Sequence, residues 1–299
     1  MQDFPALRVF GGCMTELVFQ YIFNGLVLGF IYALIAIGLT MIFGIMNIAN
    51  FAHGQFYMLG GFFAYYLTSR LGIHYFLALP LSVASVICLG LIFERIIFSR
   101  LREKAVMSSV LATIGLAILL ENSALLVWGP RPEAIRSPLS LMPIRLGPIF
   151  TTEPRLFAIG ITLLAILVTH FVLHYTRIGK ATRATFQNKE SAALVGIEID
   201  HVHGFTFGLG AGLAALAGVL LGSIFYVHPM MGGNATLKAF VVVILGGMGS
   251  FIGSIVGGLI LGIAESFGTI VLSAYKDAIG FILVILILLY RPQGLFQKV

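Results

Sequence analysis

Four polar side chains crowd one apolar stretch of this 299-residue sequence: Asn47, Asn50, His53 and Gln55, in "NIANFAHGQFYMLGG" (47–61). The flanks, "LVLGFIYALIAIGLTMIFGIM" and "FFAYYL", are soluble in hydrocarbon. An amide left without a hydrogen-bond partner in such surroundings is strongly unfavourable. Each of the four must therefore bond across helices or face a water-filled cavity. His53 followed by Gly54 predicts a break with freed backbone groups, which is tolerated only where protein or such a cavity covers it. Interhelical glue and cavity lining both stay open.

Two acids pose the same question. Glu121, in "LATIGLAILLENSALLVWG", lies near the middle of an apolar run with Asn122 and Ser123 beside it. Glu265 lies in "LILGIAESFG". A central acid in a membrane helix is unfavourable by about 3 kcal/mol or more, which makes it a functional candidate by default. The alternative for each is a satisfied structural hydrogen bond. His170 and His174 stand at i, i+4 on one face of "HFVLH", a spacing that could hold a metal, and "HVH" (201–203) follows. A membrane metalloenzyme would need further boxes of paired histidines, so interfacial histidines are the better reading. "GGMGS" (246–250) is a poor match to a serine intramembrane protease. No phosphate loop or dinucleotide fingerprint occurs, so any ATP belongs to another chain.

The elements that must carry these residues follow from composition. The chain is 59% hydrophobic and 10% charged, with mean hydropathy +1.03. Soluble domains carry about 25% charged residues. Apolar runs of 18 or more residues recur, each long enough to cross roughly 30 Å of hydrocarbon. The expected class is all-α, a polytopic transmembrane bundle of about eight to nine membrane helices with broken or re-entrant segments. A β-barrel would instead alternate in ten-residue segments. The 35 glycines suit close helix packing. The net charge of +6 sits mostly in short loops and brings no basic groove or aromatic ladder, so nucleic acid is excluded as a partner. Cys13 and Cys88 show no redox or metal spacing and read as small apolar fillers. The N-terminal "MQDFPALRVFGGCMTE" lacks the pattern of a cleaved leader, so the first membrane helix is expected to direct insertion.

Membrane helices are expected near 17–43, 55–69, 75–98, 106–128, 156–175, 204–226, 250–272 and 276–290, with 236–247 as a half-helix or re-entrant piece. The first is longer than a bilayer requires and should be tilted or broken. Residues 1–299 are read as one membrane domain. "ERIIFSRLREK" (94–104) and "RIGKATRATFQNKE" (177–190) hold the dense basic loops, two spans apart, and the positive-inside rule makes their side cytoplasmic. The loop 129–155 between them is external. "RPQGLFQKV" votes for a C-terminus inside, which eight spans would not allow. "NIANFAHGQFYMLGGFF" and "LKAFVVVILGGMGSFIGSIVGG" echo each other weakly, and paired interrupted segments in two halves point to a transport path.

The loop 177–200, "RIGKATRATFQNKESAALVGIEID", is too long for a simple turn. Ala181 to Leu194 is rich in helix formers, with Ala184, Asn188 and Ala192 at i, i+4, i+8. Small residues on one face let another protein approach closely, so the loop reads as a docking element.

At this point the sequence resembles a known family. "GLVLGFIYALIAIGLTMIFGIMNIANFAHGQFYMLGGF" (25–62), "KAFVVVILGGMGSFIGSIVGGLILGIAE" (238–265) and "RPQGLF" (291–296) are similar to the signatures of LivH-type permeases of branched-chain amino acid ABC importers. The resemblance spans about 16–296. The segment 177–197 is similar to the family's ATPase-docking segment, where Glu190, Ala192 and Gly196 fit the importer pattern Glu-x-Ala-x-x-x-Gly. The Ile-x-Leu-Pro ending of the longer pattern is absent.

The resemblance implies one transmembrane subunit in the bacterial inner membrane. Its partners would be a second permease subunit (paralogue or second copy), two cytosolic ATPases that bind ATP and Mg, and a periplasmic solute-binding protein. The chain itself would bind no cofactor. ATPase closure would push on Arg177, Gly179, Lys180, Arg183, Ala184, Asn188, Glu190, Ala192, Leu194 and Gly196. Asn47, Asn50, His53, Gln55, Glu121, Asn122, Ser123 and Glu265 would line the solute path or its gate. The solute would be a branched-chain or related amino acid, with urea, short amides or aromatic acids as alternatives. A passive channel would conduct without ATP.

Overall fold

The computed structural model describes residues 5–101, 104–271, 276–291 and 293–296. Arg102, Pro292 and the last three residues, which carried part of the basic-loop and C-terminal readings, lie outside them. The described residues are all-α apart from one small hairpin. Among them six helices are long and apolar enough to cross a membrane, and two shorter apolar ones accompany them.

The first helix, α1 (Pro5–Met46), runs unbroken, and the break expected at His53–Gly54 falls earlier, at 47–52, so that His53 and Gly54 open the next helix. No proline interrupts α1, and its apolar residues run all round. Asn47 ends it in the left-handed region at φ 52°, donating its N–H to Phe43 O at 2.8 Å. Asparagine tolerates that conformation and serves as a helix stop. After the loop 47–52 come α2 (His53–Tyr65), with a π-helical turn at Tyr66–Arg70, and α3 (Tyr75–Phe93). A second π-turn, Glu94–Phe98, leads from α3 to the short α4 (Ser99–Leu101), followed by α5 (Val106–Trp128).

The loop 129–152 contains an antiparallel hairpin, β1 (Ile144–Leu146) and β2 (Ile149–Thr151), before α6 (Glu153–Tyr175). Two short helices, α7 (Arg177–Gln187) and α8 (Lys189–Leu194), precede α9 (Ile199–Ile224). The chain ends with α10 (Met231–Gly246), α11 (Phe251–Val271) and α12 (Lys276–Tyr290). Because α9 begins at Ile199 rather than near 204, "HVH" belongs to its first turns and not to the preceding loop.

The helices α1 and α9 run through the middle, whereas α3, α5 and α6 turn most of their side chains outward. Leu126 and Leu167 on that outer surface are 87% and 64% exposed, as a hydrocarbon-facing surface allows. A close glycine seam joins α1 to α11, where Gly25 and Gly29 face Gly258 and Gly262. A methyl on Gly25 would stand 2.6 Å from Ile263 Cα, and one on Gly258 2.7 Å from Ala33 N. Two facing small-xxx-small pairs bring the backbones into contact.

The two ends of the bundle are distinct. At one, Glu133 and Val227 exchange backbone hydrogen bonds at 2.9 and 2.8 Å, and Phe150 N donates to Gln20 Oε1 at 2.8 Å. At the other, Leu295 N and Phe296 N donate to Leu245 O and Gly246 O at 3.0 and 3.1 Å, and Phe186 of α7 packs on Gly249. The described C-terminal segment therefore shares its end with α7 and α8.

Candidate functional site

A cavity of about 460 Å³ lies at the end of the bundle that holds the hairpin. Its wall takes most of its residues from α1, α10 and α11, with Tyr57 of α2, Leu221 near the end of α9, Arg155 at the start of α6 and Phe225, Tyr226 and His228 from the turn after α9. On that wall Lys238 Nζ donates to Glu265 Oε2 at 2.8 Å and to Tyr32 Oη at 2.9 Å, and Tyr32 Oη donates to the same carboxylate oxygen at 2.8 Å. The glycine seam explains why they meet. Tyr32 lies three residues beyond Gly29, and Glu265 three beyond Gly262. Side chains on a helix lean toward its N-terminus, so on two antiparallel helices these two lean toward each other.

Near the same end, Arg155 Nη1 donates to Asn24 Oδ1 at 2.8 Å, and Asn24 also accepts from Gln20 Nε2 at 3.3 Å. Deeper, α2 and α10 begin against each other. Gly54 N donates to Thr236 Oγ1 at 3.0 Å, and neither helix start carries a side-chain cap. A side chain on Gly54 would collide with Gly232 O, so only glycine lets the two starts meet.

The residues singled out from sequence fall in three places. Glu265 lines the cavity. Asn50, His53 and Gln55 are buried but do not line it: His53 Nε2 lies 3.0 Å from O of the lining residue Ile35, and Asn50 Oδ1 accepts from Ala52 N at 3.0 Å to make the turn into α2. Gln55 Nε2 reaches Glu121 Oε2 at 3.4 Å, which joins two candidates that sequence kept apart. Asn47 is exposed and ends α1. Asn122 and Ser123 face outward and bond to Ile118 O and Leu119 O of their own helix, at 2.8 and 2.7 Å.

Sequence reasoning missed Lys238 and Tyr32. A lysine inside "TLKAFVVVILGG" carried the same signal as the acids, an ionisable group in an apolar run. No short spacing links it to Glu265.

At the other end, α7 and α8 overturn one sequence expectation. Asn188 takes an extended conformation and its Oδ1 accepts from Ser191 N at 2.8 Å, capping a new helix. The face expected from Ala184 through Asn188 to Ala192 is therefore broken. Asn188 is exposed, Ala192 is buried at 2% and Ala184 is half-buried. Gly179 is also buried, and its N–H goes to the capping Thr176 Oγ1 at 3.1 Å. Arg177, Lys180, Arg183, Glu190, Leu194 and Gly196 are exposed. Leu194 and Val195 present apolar side chains at 88% and 76% exposure.

His170 and His174 stack at 4.0 Å between ring centroids, and His174 Nδ1 lies 3.0 Å from its neighbour's backbone oxygen. Among the described residues no three His, Cys, Asp or Glu side chains gather as a metal site would require.

A bundle of apolar helices around a largely apolar cavity that carries one ion pair on its wall, with a helical hairpin exposed at one end, has the build of a membrane permease. The profile of the family described as branched-chain amino acid transport system, permease component, matches residues 21–288. The high-affinity branched-chain amino acid transport system permease protein LivH of Escherichia coli K12 is 38% identical, over 93% of this chain and 95% of its own. The corresponding protein BraD of Pseudomonas aeruginosa is 35% identical over the same shares. A xylose/arabinose import permease protein, XylH of Sulfolobus acidocaldarius, is 28% identical over 65% of this chain and 56% of its own. No solved structure matches the chain with significance. The chain belongs to the branched-chain amino acid permease family and is a multi-pass membrane protein.

Proposed function

We propose that this chain is a transmembrane subunit of an ATP-driven, binding-protein-dependent importer in the bacterial inner membrane, and that it passes branched-chain amino acids through the cavity on α1, α10 and α11. The observation that carries this reading is the family match across residues 21–288, joined to a cavity walled by those helices. The chain is the permease, and hydrolysis of ATP with Mg falls to two cytosolic ATPase partners. A periplasmic binding protein delivers the solute, and a second permease subunit completes the pathway.

Nine crossings fit the contacts. The segments 47–70 and 225–246 each cross as a loop followed by a short helix, which sets the N-terminus outside and the C-terminus inside, with the basic loops. Residues 1–299 then form one permease domain, with 129–155 outside and 177–200 inside. Gln55 and Glu121, Asn50 and His53 stand between the cavity and the cytoplasmic end, where they act as the gate. Their supporting observation is the junction of the α2 and α10 starts just beyond Ile35 and Met231 of the cavity wall. Exposed Leu194 and Val195, with Arg183 on the outer side of α7, form the ATPase-docking surface.

The test is to capture tagged chain from its native membrane in mild detergent and identify what stays bound by mass spectrometry. ATPase subunits near stoichiometry, lost on Arg183→Glu, are the expected result. A chain that purifies alone with bound iron or zinc would overturn it.

A further inference from the structure

Tyr32, Lys238 and Glu265 reach the cavity from three helices. Removing two charges from water is unfavourable, and their attraction recovers that only with excellent geometry. Gly253 and Gly257 of α11 already lie against the backbone of α10, where a methyl would collide with Gly246 O and stand 2.8 Å from Val242 O respectively, so the Lys238–Glu265 pair is not needed to hold those helices together. One fifth of the Lys238 side chain remains accessible, against 4% for Glu265. Both bonds to Glu265 fall on Oε2. Leu28, Ile31, Ile35, Leu221 and Met231 supply apolar surface to the same cavity. Its volume lies within the roughly 300–1,000 Å³ usual for small-molecule sites.

A cation donor and an anion acceptor 2.8 Å apart, beside an apolar wall, match one class of solute: a zwitterion whose two charges flank one carbon that also bears an apolar side chain. We propose that this triad is the solute subsite of the permease, a refinement that rests on the permease reading above. The solute carboxylate accepts from Lys238 Nζ and Tyr32 Oη, its ammonium donates to Glu265, and its side chain lies along Ile31, Ile35 and Leu221. One internal ion pair is exchanged for two pairs to the solute, and the triad with its solute is neutral before and after, while Arg155 of the same wall stays bonded to Asn24. A solute carrying only one charge leaves either Lys238 or Glu265 unmatched in a low-dielectric site, so the exchange rejects it.

The test uses the assembled importer in proteoliposomes, with Cys13 and Cys88 replaced by serine and Asn234→Cys introduced one helical turn before Lys238 on the cavity wall. The rate of maleimide labelling is measured with L-leucine, isovalerate or isoamylamine present. Leucine should slow labelling about tenfold near ten times its dissociation constant, while the two singly charged analogues leave the rate unchanged. Equal protection by either analogue overturns the proposal. So does absence of protection in a complex that takes up leucine normally, which leaves the permease reading standing. A complex that takes up no branched-chain amino acid sinks that reading first, and the subsite with it.

A charge exchange, Lys238→Glu with Glu265→Lys, separates the subsite from a structural tie. It keeps an ion pair between α10 and α11 but reverses the orientation offered to the solute. Assembly with loss of leucine protection is expected, and wild-type leucine uptake by the exchanged complex contradicts the subsite.

Discussion

The ring of Phe186, on α7, fills the space that a side chain on Gly44 would occupy near the end of α1. Gly249, in the turn between α10 and α11, borders the same ring at 2.8 Å from where its own Cβ would stand. One aromatic side chain of the α7–α8 hairpin thus touches both the helix that carries Tyr32 and the turn that leads to Glu265. A force applied to α7 has a direct contact through which to reach the cavity wall.

Gly44→Ala should therefore loosen that contact. The new methyl collides with the ring, and overpacking of this kind costs typically about 1–3 kcal/mol. Uptake per ATP hydrolysed is expected to fall in reconstituted complex, and Phe186→Ala added to Gly44→Ala should relieve the collision without restoring coupling. An unchanged coupling ratio in Gly44→Ala would make the ring a passive filler.

The junction of α2 and α10 depends on one hydroxyl. Thr236 Oγ1 accepts from Gly54 N and donates to Gly232 O, both at 3.0 Å. Thr236→Val keeps the shape but leaves a buried N–H unpaired, which should destabilise the chain by about 1–3 kcal/mol. Thr236→Ser keeps the bond and should melt close to wild type. Thermal unfolding in detergent compares the two, and equal losses would show that the methyl matters more than the hydrogen bond.

The sequence was most legible where composition alone decides, in the apolar spans and in the basic loop that becomes α7 and α8. It showed that the 47–55 stretch breaks a helix but not which residue does what. Asn47 and Asn50 are spent largely on ending α1 and turning into α2, a local role that a polar residue in an apolar run does not announce. Glu265 stood out as an isolated acid, yet its partners lie 27 and 233 residues away, at Lys238 and Tyr32. Their meeting depends on how the Gly25, Gly29, Gly258 and Gly262 seam sets two helices side by side. Asn188 misled for the opposite reason: helix propensity favoured continuity across it, and its capping side chain restarted the helix instead.

The ion pair makes a prediction about stability that is independent of the solute. Lys238→Met alone leaves Glu265 buried opposite an apolar side chain, and breaking a buried pair this way costs about 3–5 kcal/mol. Adding Glu265→Gln removes the stranded charge and should recover most of that loss. Unfolding of the two variants in detergent gives the comparison, and strictly additive losses would mean the two side chains do not interact.

The exposed apolar tip of α8 separates docking from folding. Leu194 is 88% exposed and no described element covers it, so Leu194→Asp removes little internal packing. Surface changes of this kind usually move stability by less than about 0.5 kcal/mol. The detergent melting temperature should hold, while recovery of ATPase subunits with the tagged chain drops sharply. Gly196→Ala should act differently, because φ of 83° at that position strains any residue with a side chain. That variant should lose both stability and docking. ATPase recovery at wild-type level with Leu194→Asp would move the docking surface away from α8 and onto the basic side of α7.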